Sequence, residues 1–283
     1  MKNTIFTGAG VAIITPMLQD GSVDFEGLKK LIDFQVDNGT DAIIICGTTG
    51  ESSTLSDEEH RDCIRCAVEH THNRIPVIAG TGSNDTKYAI ELSREAQELG
   101  ADGLLLVTPY YNKCTQRGLI AHYTAIADSV DIPIILYNVP SRTGVAIDVA
   151  TVKALGQHKN IVAVKEASGN IGYTAKLAAQ CGDLVDIYSG NDDMIVPIMS
   201  LGGKGVISVL SNVMPKETHQ MTQYCLENNF AAAAKLQLEY LNLINKLFIE
   251  VNPIPVKKAM ELLGWKVGGL RLPLVEPSEE HIA

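Results

Sequence analysis

The 283-residue sequence has no long apolar run and no excess of positive charge. No apolar run approaches the roughly 18 residues that a membrane-spanning helix needs. The 23 lysine and arginine residues face 33 acidic residues, which gives a formal net charge of −10 and disfavours nucleic acids and anionic membranes as partners. Residues 1–16 contain one lysine and only a short apolar patch, which is not typical of a signal peptide. We therefore expect a cytoplasmic protein that binds neither nucleic acid nor membrane.

Cysteine is also sparse, and the pattern does not predict a disulfide framework or a metal centre. The six cysteines are scattered, at positions 46, 63, 66, 114, 181 and 225. Cys63 and Cys66 form a C-x-x-C in a stretch that reads as a helix, but no second pair completes a tetrahedral zinc site. The seven histidines fall in predicted helices, helix ends or the tail, whereas a metal-dependent aldolase needs ligands at strand ends. We expect no metal and no cofactor.

What the sequence does contain is a repeated strand–helix pattern. Short apolar runs rich in branched residues recur at intervals of about 20 to 35 residues, the length of a βα unit. Most are continuous, as expected for parallel strands covered on both faces. Helix-periodic stretches lie between them, such as 24–34 and 91–99, which end near Asn38-Gly39 and Gly100. The eight runs are 11–14, 42–45, 76–79, 103–107, 133–137, 161–164, 185–188 and 205–209.

Eight such units without a low-complexity linker predict an α/β fold, a closed (β/α)8 TIM barrel. A doubly wound open sheet is the alternative. That fold usually has a glycine-rich, dinucleotide-binding turn after the first strand, and none is present. After about residue 215 only helical patterns remain, including 230–238 and 256–263. We predict a catalytic barrel over 1–225 and a small C-terminal helical region over 226–283.

Lys165 is the most informative residue for chemistry. It ends the sixth apolar run, where burial disfavours the charged ammonium. Loss of the proton leaves a neutral amine, which is a nucleophile toward carbonyl carbons, so the position predicts Schiff-base chemistry. The alternative is a lysine that extends to solvent from the strand end.

Other polar side chains follow neighbouring strands, and in a (β/α)8 barrel these strand ends meet at one face. Hydroxyl groups there can relay the protons that imine formation requires, because each hydroxyl both donates and accepts. An arginine at the rim suits a carboxylate substrate. A phosphate site is disfavoured, because Gly202-Gly203-Lys204 precedes the eighth strand and belongs to the opposite end. The converging side chains are Lys165, Thr48, Thr49, Tyr110, Tyr111, Tyr137 and Arg142.

Six segments of the chain are distinctive: 47–51 (GTTGE), 107–112 (VTPYYN), 137–144 (YNVPSRTG), 164–169 (VKEASG), 252–257 (NPIPVK) and 270–274 (LRLPL). These segments resemble the dihydrodipicolinate synthase family of pyruvate-dependent lyases, and the resemblance covers essentially the whole chain. It implies that Lys165 forms a Schiff base with pyruvate and that the enamine attacks L-aspartate 4-semialdehyde, the step that begins the diaminopimelate and lysine branch.

The resemblance also implies roles for individual catalytic residues. Tyr137 would donate and accept protons, and Thr48 would connect it to Tyr111. In this family that last tyrosine reaches in from the neighbouring subunit of a tight dimer. The implied assembly is a homotetramer made of two tight dimers.

For substrate binding, the resemblance implies four further residues. Thr49 would hold the pyruvate carboxylate, and Gly190 and Ile207 would contact pyruvate through their backbones. Arg142 would bind the carboxylate of the semialdehyde.

A possible effector site for lysine follows from the same resemblance. Its residues would be Ser52, His60, Asn84 and Tyr110. The chain departs from lysine-sensitive members at Asp57, where they often carry histidine, and at Tyr88, where they often carry glutamate. We expect weak or absent inhibition by lysine.

Two alternatives stay open from the sequence. The first is another member of the superfamily, N-acetylneuraminate lyase or an aldolase acting on 2-keto-3-deoxy sugar acids. Consecutive Thr48 and Thr49, together with Arg142 in Ser141–Gly144, favour the synthase over these enzymes. The second is a non-catalytic barrel that binds a keto acid as a sensor, although the lysine and the relay hydroxyls are retained.

Overall fold

A computed structural model describes residues 4–282 and contains a closed barrel of eight parallel strands in sequential order. Strand β1 closes the barrel by pairing with β8 as well as β2. The predicted (β/α)8 fold is therefore confirmed. The strands are β1 (Gly8–Ala12), β2 (Ala42–Ile45), β3 (Val77–Gly80), β4 (Gly103–Val107), β5 (Ile134–Asn138), β6 (Ile161–Glu166), β7 (Asp186–Ser189) and β8 (Gly205–Ser208).

Helices occupy the connections and the C-terminal part of the chain. Local sequence explains where several begin: Asp24 accepts a hydrogen bond from the Gly27 amide, and Ser56 and Glu59 form a capping box. The helices are α1 (Phe25–Asp37), α2 (Asp57–Thr71), α3 (Thr86–Glu98), α4 (Gln116–Ala127), α5 (Pro140–Thr143), α6 (Val149–Leu155), α7 (Ile171–Cys181), α8 (Ile195–Ser200), α9 (Pro215–Leu226), α10 (Phe230–Lys246), α11 (Ile254–Leu262) and α12 (Glu279–Ile282).

The first strand begins three residues earlier than the predicted run, at Gly8. Glycine has a low strand propensity, so a prediction based on runs of apolar residues does not include Gly8 and Gly10 in the strand. Gly8 pairs with Gly205 at this point, and a side chain on Gly205 would collide with the Gly8 backbone. The absence of a side chain at Gly205 therefore lets β8 approach β1 closely where the barrel closes.

The interior of the barrel is packed and apolar. Phe6 stacks on Tyr188 with ring centroids 4.4 Å apart, and the Tyr188 hydroxyl donates to the Phe6 carbonyl at 2.6 Å. Ala12, Ile44 and Ile207 belong to the same buried cluster. The barrel is thus a filled core rather than a pore, which leaves the carboxyl ends of the strands to form a site.

Residues 248–271, here called the C-terminal segment, lie against the end of the barrel at which the strands terminate. Asn252 contacts Thr49, Lys257 contacts Glu51, and the Arg271 guanidinium donates to the Thr54 carbonyl. The boundary between the predicted barrel (1–225) and the predicted helical region (226–283) stays a prediction. Residues 1–3 and 283, at the ends of these two ranges, lie outside the described residues. Within residues 4–282, no helix combines the length and apolar character needed to cross a lipid bilayer.

Candidate active site

A cavity of about 590 Å³ opens at the carboxyl end of the strands. Its walls come from the loops after most of the strands and from the C-terminal segment. Predicted site residues among the lining are Thr48, Thr49, Ser52, His60, Tyr110, Tyr137, Arg142, Lys165 and Gly190.

Lys165 is the buried amine of this cavity. Its side chain lies in β6 beside Tyr137 of β5, and Nζ stands 4.3 Å from the centroid of the Tyr137 ring. Only 6% of the residue is exposed, which contradicts the alternative of a lysine extended into solvent. Burial lowers the pKa of Lys165 to about 7, with Asp192 acting in the opposite direction and Arg142 adding to the decrease. A substantial neutral fraction therefore exists near neutral pH, as a nucleophilic amine requires.

Tyr137 is the phenol whose ring lies beside this amine. It is buried, and burial raises the pKa of its hydroxyl, while Arg142 and a hydrogen bond with Thr48 act in the opposite direction. The Thr48 contact joins the end of β2 to the end of β5. Two members of the predicted proton relay are therefore in contact in a single chain.

Thr49 has a different partner, which comes from the C-terminal segment. The Asn252 side-chain amide donates to Thr49 Oγ1 at 3.0 Å, and the Asn252 carbonyl accepts from Arg142 at 3.2 Å. Because Thr49 Oγ1 accepts this bond, its hydroxyl proton is free to point elsewhere, toward a bound carboxylate. Asn252 thus links two predicted substrate-binding residues.

Gly190 stands immediately beside the amine. A side-chain carbon added there would lie 2.6 Å from Ala167 Cβ and 3.1 Å from Lys165 Cε. Only glycine leaves space at this point, and it lets the backbone approach whatever binds to Lys165.

Sequence reasoning assigned no role to Asp192, which is 2% exposed and close enough to Lys165 to influence its pKa. One carboxylate oxygen accepts the Val209 and Leu210 amides at 3.1 and 2.9 Å, which ties the end of β7 to the loop after β8. Burial raises the pKa of Asp192. Its position in the loop after the seventh strand could have indicated that Asp192 belongs to the site. Asn252 was also given no role, and it lies outside the barrel repeats altogether.

Three predicted residues are not brought into the cavity of the single chain. Tyr111 is 92% exposed, with a positive φ of 68°. Ile207 is fully buried in the barrel interior, and Val209 lines the cavity at the end of that strand. Asn84 lies near the rim, where its side-chain amide donates to the Tyr110 carbonyl at 3.2 Å.

The remaining predicted effector residues, Ser52, His60 and Tyr110, line the same cavity as Lys165. His60 is buried, its Nε2 lies 2.9 Å from the Gly80 carbonyl, and burial lowers its pKa, which favours a neutral ring. Tyr88 also lines this cavity and donates to Asp57 at 2.6 Å. Burial raises the pKa of Tyr88 to about 12, so this residue brings no negative charge.

The cysteines are free thiols, and neither Cys63 nor Cys66 has a disulfide partner in the described part of the chain. Across residues 4–282, no group of three or more histidine, cysteine, aspartate or glutamate side chains is placed to hold a metal ion.

The fold and the site together define a barrel enzyme of the lyase class, in which a buried amine is suited to imine formation with a carbonyl substrate. The chain belongs to the dihydrodipicolinate synthetase family, whose model matches residues 5–283. It is 62% identical to the 4-hydroxy-tetrahydrodipicolinate synthase of Lachnoclostridium phytofermentans over 278 residues, which cover 98% of this chain and 95% of that protein.

Solved structures of similar proteins agree with this assignment. The dihydrodipicolinate synthase from Aquifex aeolicus is 50% identical, with a TM-score of 0.96 over 98% of this chain and 94% of that one. The chloride-inhibited dihydrodipicolinate synthase from Acinetobacter baumannii, complexed with pyruvate, is 46% identical, with a TM-score of 0.96 over 98% and 95% of the two chains.

Proposed function

We propose that this protein condenses pyruvate with L-aspartate 4-semialdehyde, as a 4-hydroxy-tetrahydrodipicolinate synthase of the diaminopimelate and lysine pathway. The observation that carries the proposal is Lys165, a buried amine with a pKa of about 7 beside a phenol. The name of the relative at 62% identity favours this reaction over sialic acid cleavage and sugar-acid aldol chemistry. The proposed location is the cytoplasm.

The chemistry begins with the neutral Lys165 amine. Its lone pair attacks the C2 carbonyl of pyruvate, and proton transfer to the oxygen gives a carbinolamine that loses water to form the imine. Tyr137 is placed to supply and recover these protons, because its ring lies beside the amine and its hydroxyl contacts Thr48. With the imine nitrogen protonated, loss of a methyl proton gives the neutral enamine, whose carbon then attacks the aldehyde.

Pyruvate would be held by its carboxylate and by the open backbone around the amine. Thr49 has a hydroxyl proton left to donate, and Gly190 keeps the space beside Lys165 clear. Ile207 would contribute a backbone contact from β8.

Tyr111 would complete the relay in the site of a second chain. Its side chain is 92% exposed in the single chain, which suits a residue that inserts into a partner. We propose a tight dimer built on this contact, and two such dimers in a homotetramer.

The test of the proposed function is an assay that offers pyruvate with aspartate semialdehyde, set beside cleavage of sialic acid by the same preparation. Condensation without cleavage supports the synthase. Cleavage of sialic acid, with no condensation, would favour the other branch of the superfamily. Pyruvate binding without turnover of either substrate would favour a sensor.

Arg142 should affect one substrate more than the other. Arg142→Ala removes a rim guanidinium that would pair with the semialdehyde carboxylate, a charge-assisted contact worth about 1.5–3 kcal/mol. We expect the KM for the semialdehyde to rise about 10- to 100-fold, with a much smaller change for pyruvate. Arg142→Lys, which keeps the charge but loses the planar fork, should fall between. Equal increases for both substrates would contradict the assigned role.

Lysine should inhibit this enzyme weakly or not at all. Tyr88 places a neutral phenol, bonded to Asp57, at a position in the cavity wall where sensitive relatives often have a carboxylate. The ammonium of a bound lysine would therefore lack a charge-assisted contact. Initial rates measured against lysine concentration check this, with Tyr88→Glu as the comparison variant. That variant should bind lysine about tenfold more tightly, and half-inhibition of the wild type at submillimolar lysine would overturn the expectation.

A further inference from the structure

A buried ion pair joins the C-terminal region to the loop that carries the two active-site threonines. Lys257 Nζ lies 2.7 Å from Glu51 Oε1, and the two side chains are 3% and 1% exposed. Each partner has one further bond: Lys257 donates to the Gly269 carbonyl at 2.6 Å, and the other Glu51 oxygen accepts the Arg271 amide at 3.1 Å. The catalytic scheme does not use either charge.

The position of Glu51 gives this pair its significance. Glu51 follows Thr48-Thr49-Gly50 and adopts a left-handed conformation, with φ 55° and ψ 33°. A glutamate holds this conformation only when its surroundings fix it. Its amide donates to the Thr48 carbonyl at 3.1 Å, so a shift of Glu51 moves the backbone of Thr48 directly.

The C-terminal segment holds the same loop at two further points. Asn252, five residues before Lys257, donates to Thr49 Oγ1 at 3.0 Å. Arg271, whose amide reaches Glu51, also donates from its guanidinium to the Thr54 carbonyl at 2.7 Å. Residues far apart in the sequence therefore converge on the segment 48–54.

We propose that Lys257 and Glu51 are positioning residues that fix Thr48 and Thr49 for the reaction, which makes the C-terminal region an integral part of the active site. The inference rests on the proposed function. A buried ion pair is a poor source of stability, because apolar residues of similar volume are often at least as stabilising. What this pair provides is a fixed location for a strained loop, and small displacements of catalytic groups lower rates steeply.

The test separates positioning from folding. Lys257→Met leaves Glu51 as a buried unpaired carboxylate and is expected to destabilise the barrel. The double variant Glu51→Met/Lys257→Met removes both charges, and thermal unfolding should show that it remains folded. Each protein is incubated with pyruvate and borohydride, and intact mass gives the fraction of chains that carry the reduced adduct. The kcat from the condensation assay is then divided by that fraction.

We expect the double variant to reach the wild-type fraction of trapped chains after long incubation. Its kcat per trapped chain should fall about 10- to 100-fold, and its KM for pyruvate should rise. Lys258→Met is the matched control, because the neighbouring lysine pairs with Glu261 and Glu276 instead and should leave both constants unchanged. A double variant with wild-type kcat per trapped chain and wild-type KM would overturn the inference. A wild-type protein that forms no adduct would overturn the proposed function, and the inference with it.

Discussion

Lys165→Met should abolish condensation, with kcat falling to the background of the assay. Methionine nearly matches the length of lysine but has no amine to form the carbinolamine or the imine, and the described residues that line the cavity include no second lysine to take over the covalent step. The measurement is the condensation rate at saturating pyruvate and semialdehyde, together with borohydride trapping. Residual activity well above background, without a covalent adduct, would mean that another mechanism operates.

The same substitution should stabilise the protein without ligand. A more stable variant without activity would show that the loss of activity does not come from a loss of folding. Burial lowers the pKa of Lys165 from its ordinary value of 10.5 to about 7. At about 1.36 kcal/mol per pKa unit, a charged lysine then costs the wild type on the order of 4 kcal/mol near neutral pH.

The pH dependence of this gain has a definite sign. Between pH 7 and 10.5 the unfolded chain holds a proton on Lys165 that the folded chain has released, so wild-type stability rises with pH. The advantage of Lys165→Met should be full below pH 7 and should shrink as the pH approaches 10.5. Denaturant unfolding of both proteins at pH 6 and at alkaline pH checks this, and an advantage that grows with pH would contradict the assigned pKa.

Tyr137→Phe should have the second-largest effect, a decrease in kcat of about 10²- to 10⁴-fold. Phenylalanine keeps the ring beneath Lys165 Nζ but removes the hydroxyl that contacts Thr48, so proton transfer is lost while packing stays. Pyruvate should still be trapped on Lys165, although more slowly.

Tyr173→Phe is the matched control for that variant. The Tyr173 hydroxyl donates to the Ile147 carbonyl at 2.5 Å from helix α7, outside the cavity, so its loss should leave kcat unchanged. Equal decreases in both variants would indicate a general effect on the fold. A Tyr137→Phe enzyme within about threefold of wild-type kcat would contradict the role of the phenol as proton carrier.

The barrel was predictable because its signal is local. A strand buried on both faces appears in the sequence as a short run of branched apolar residues. Ala42–Ile45 and Gly103–Val107 are examples, and their bounds match the predicted runs. The start of β1 was not found, because Gly8 and Gly10 have no side chain to mark a strand, and the contacts that require glycine there, with Asp41 and with Ile44 and Phe6, exist only in the folded barrel.

The site residues also fall into those that the sequence predicts and those that it does not. Lys165, Tyr137 and Thr48 could be placed together because strand ends of a barrel meet at one face. Asn252 and Lys257 could not, since their partners Thr49 and Glu51 are 203 and 206 residues away, and no periodicity records that contact. The role proposed for Tyr111 likewise requires a contact with a second chain, which no pattern within one sequence records.

The central claim is the covalent link between Lys165 and a 2-oxo acid, and mapping the reduced adduct tests it most directly. Wild-type protein is treated with pyruvate and borohydride, digested, and analysed by tandem mass spectrometry. We predict one three-carbon carboxyalkyl group, located on the Lys165 side chain and absent when pyruvate is omitted. An unmodified Lys165 in protein that is active in the condensation assay, or a modification placed on another lysine such as Lys257, would contradict the account.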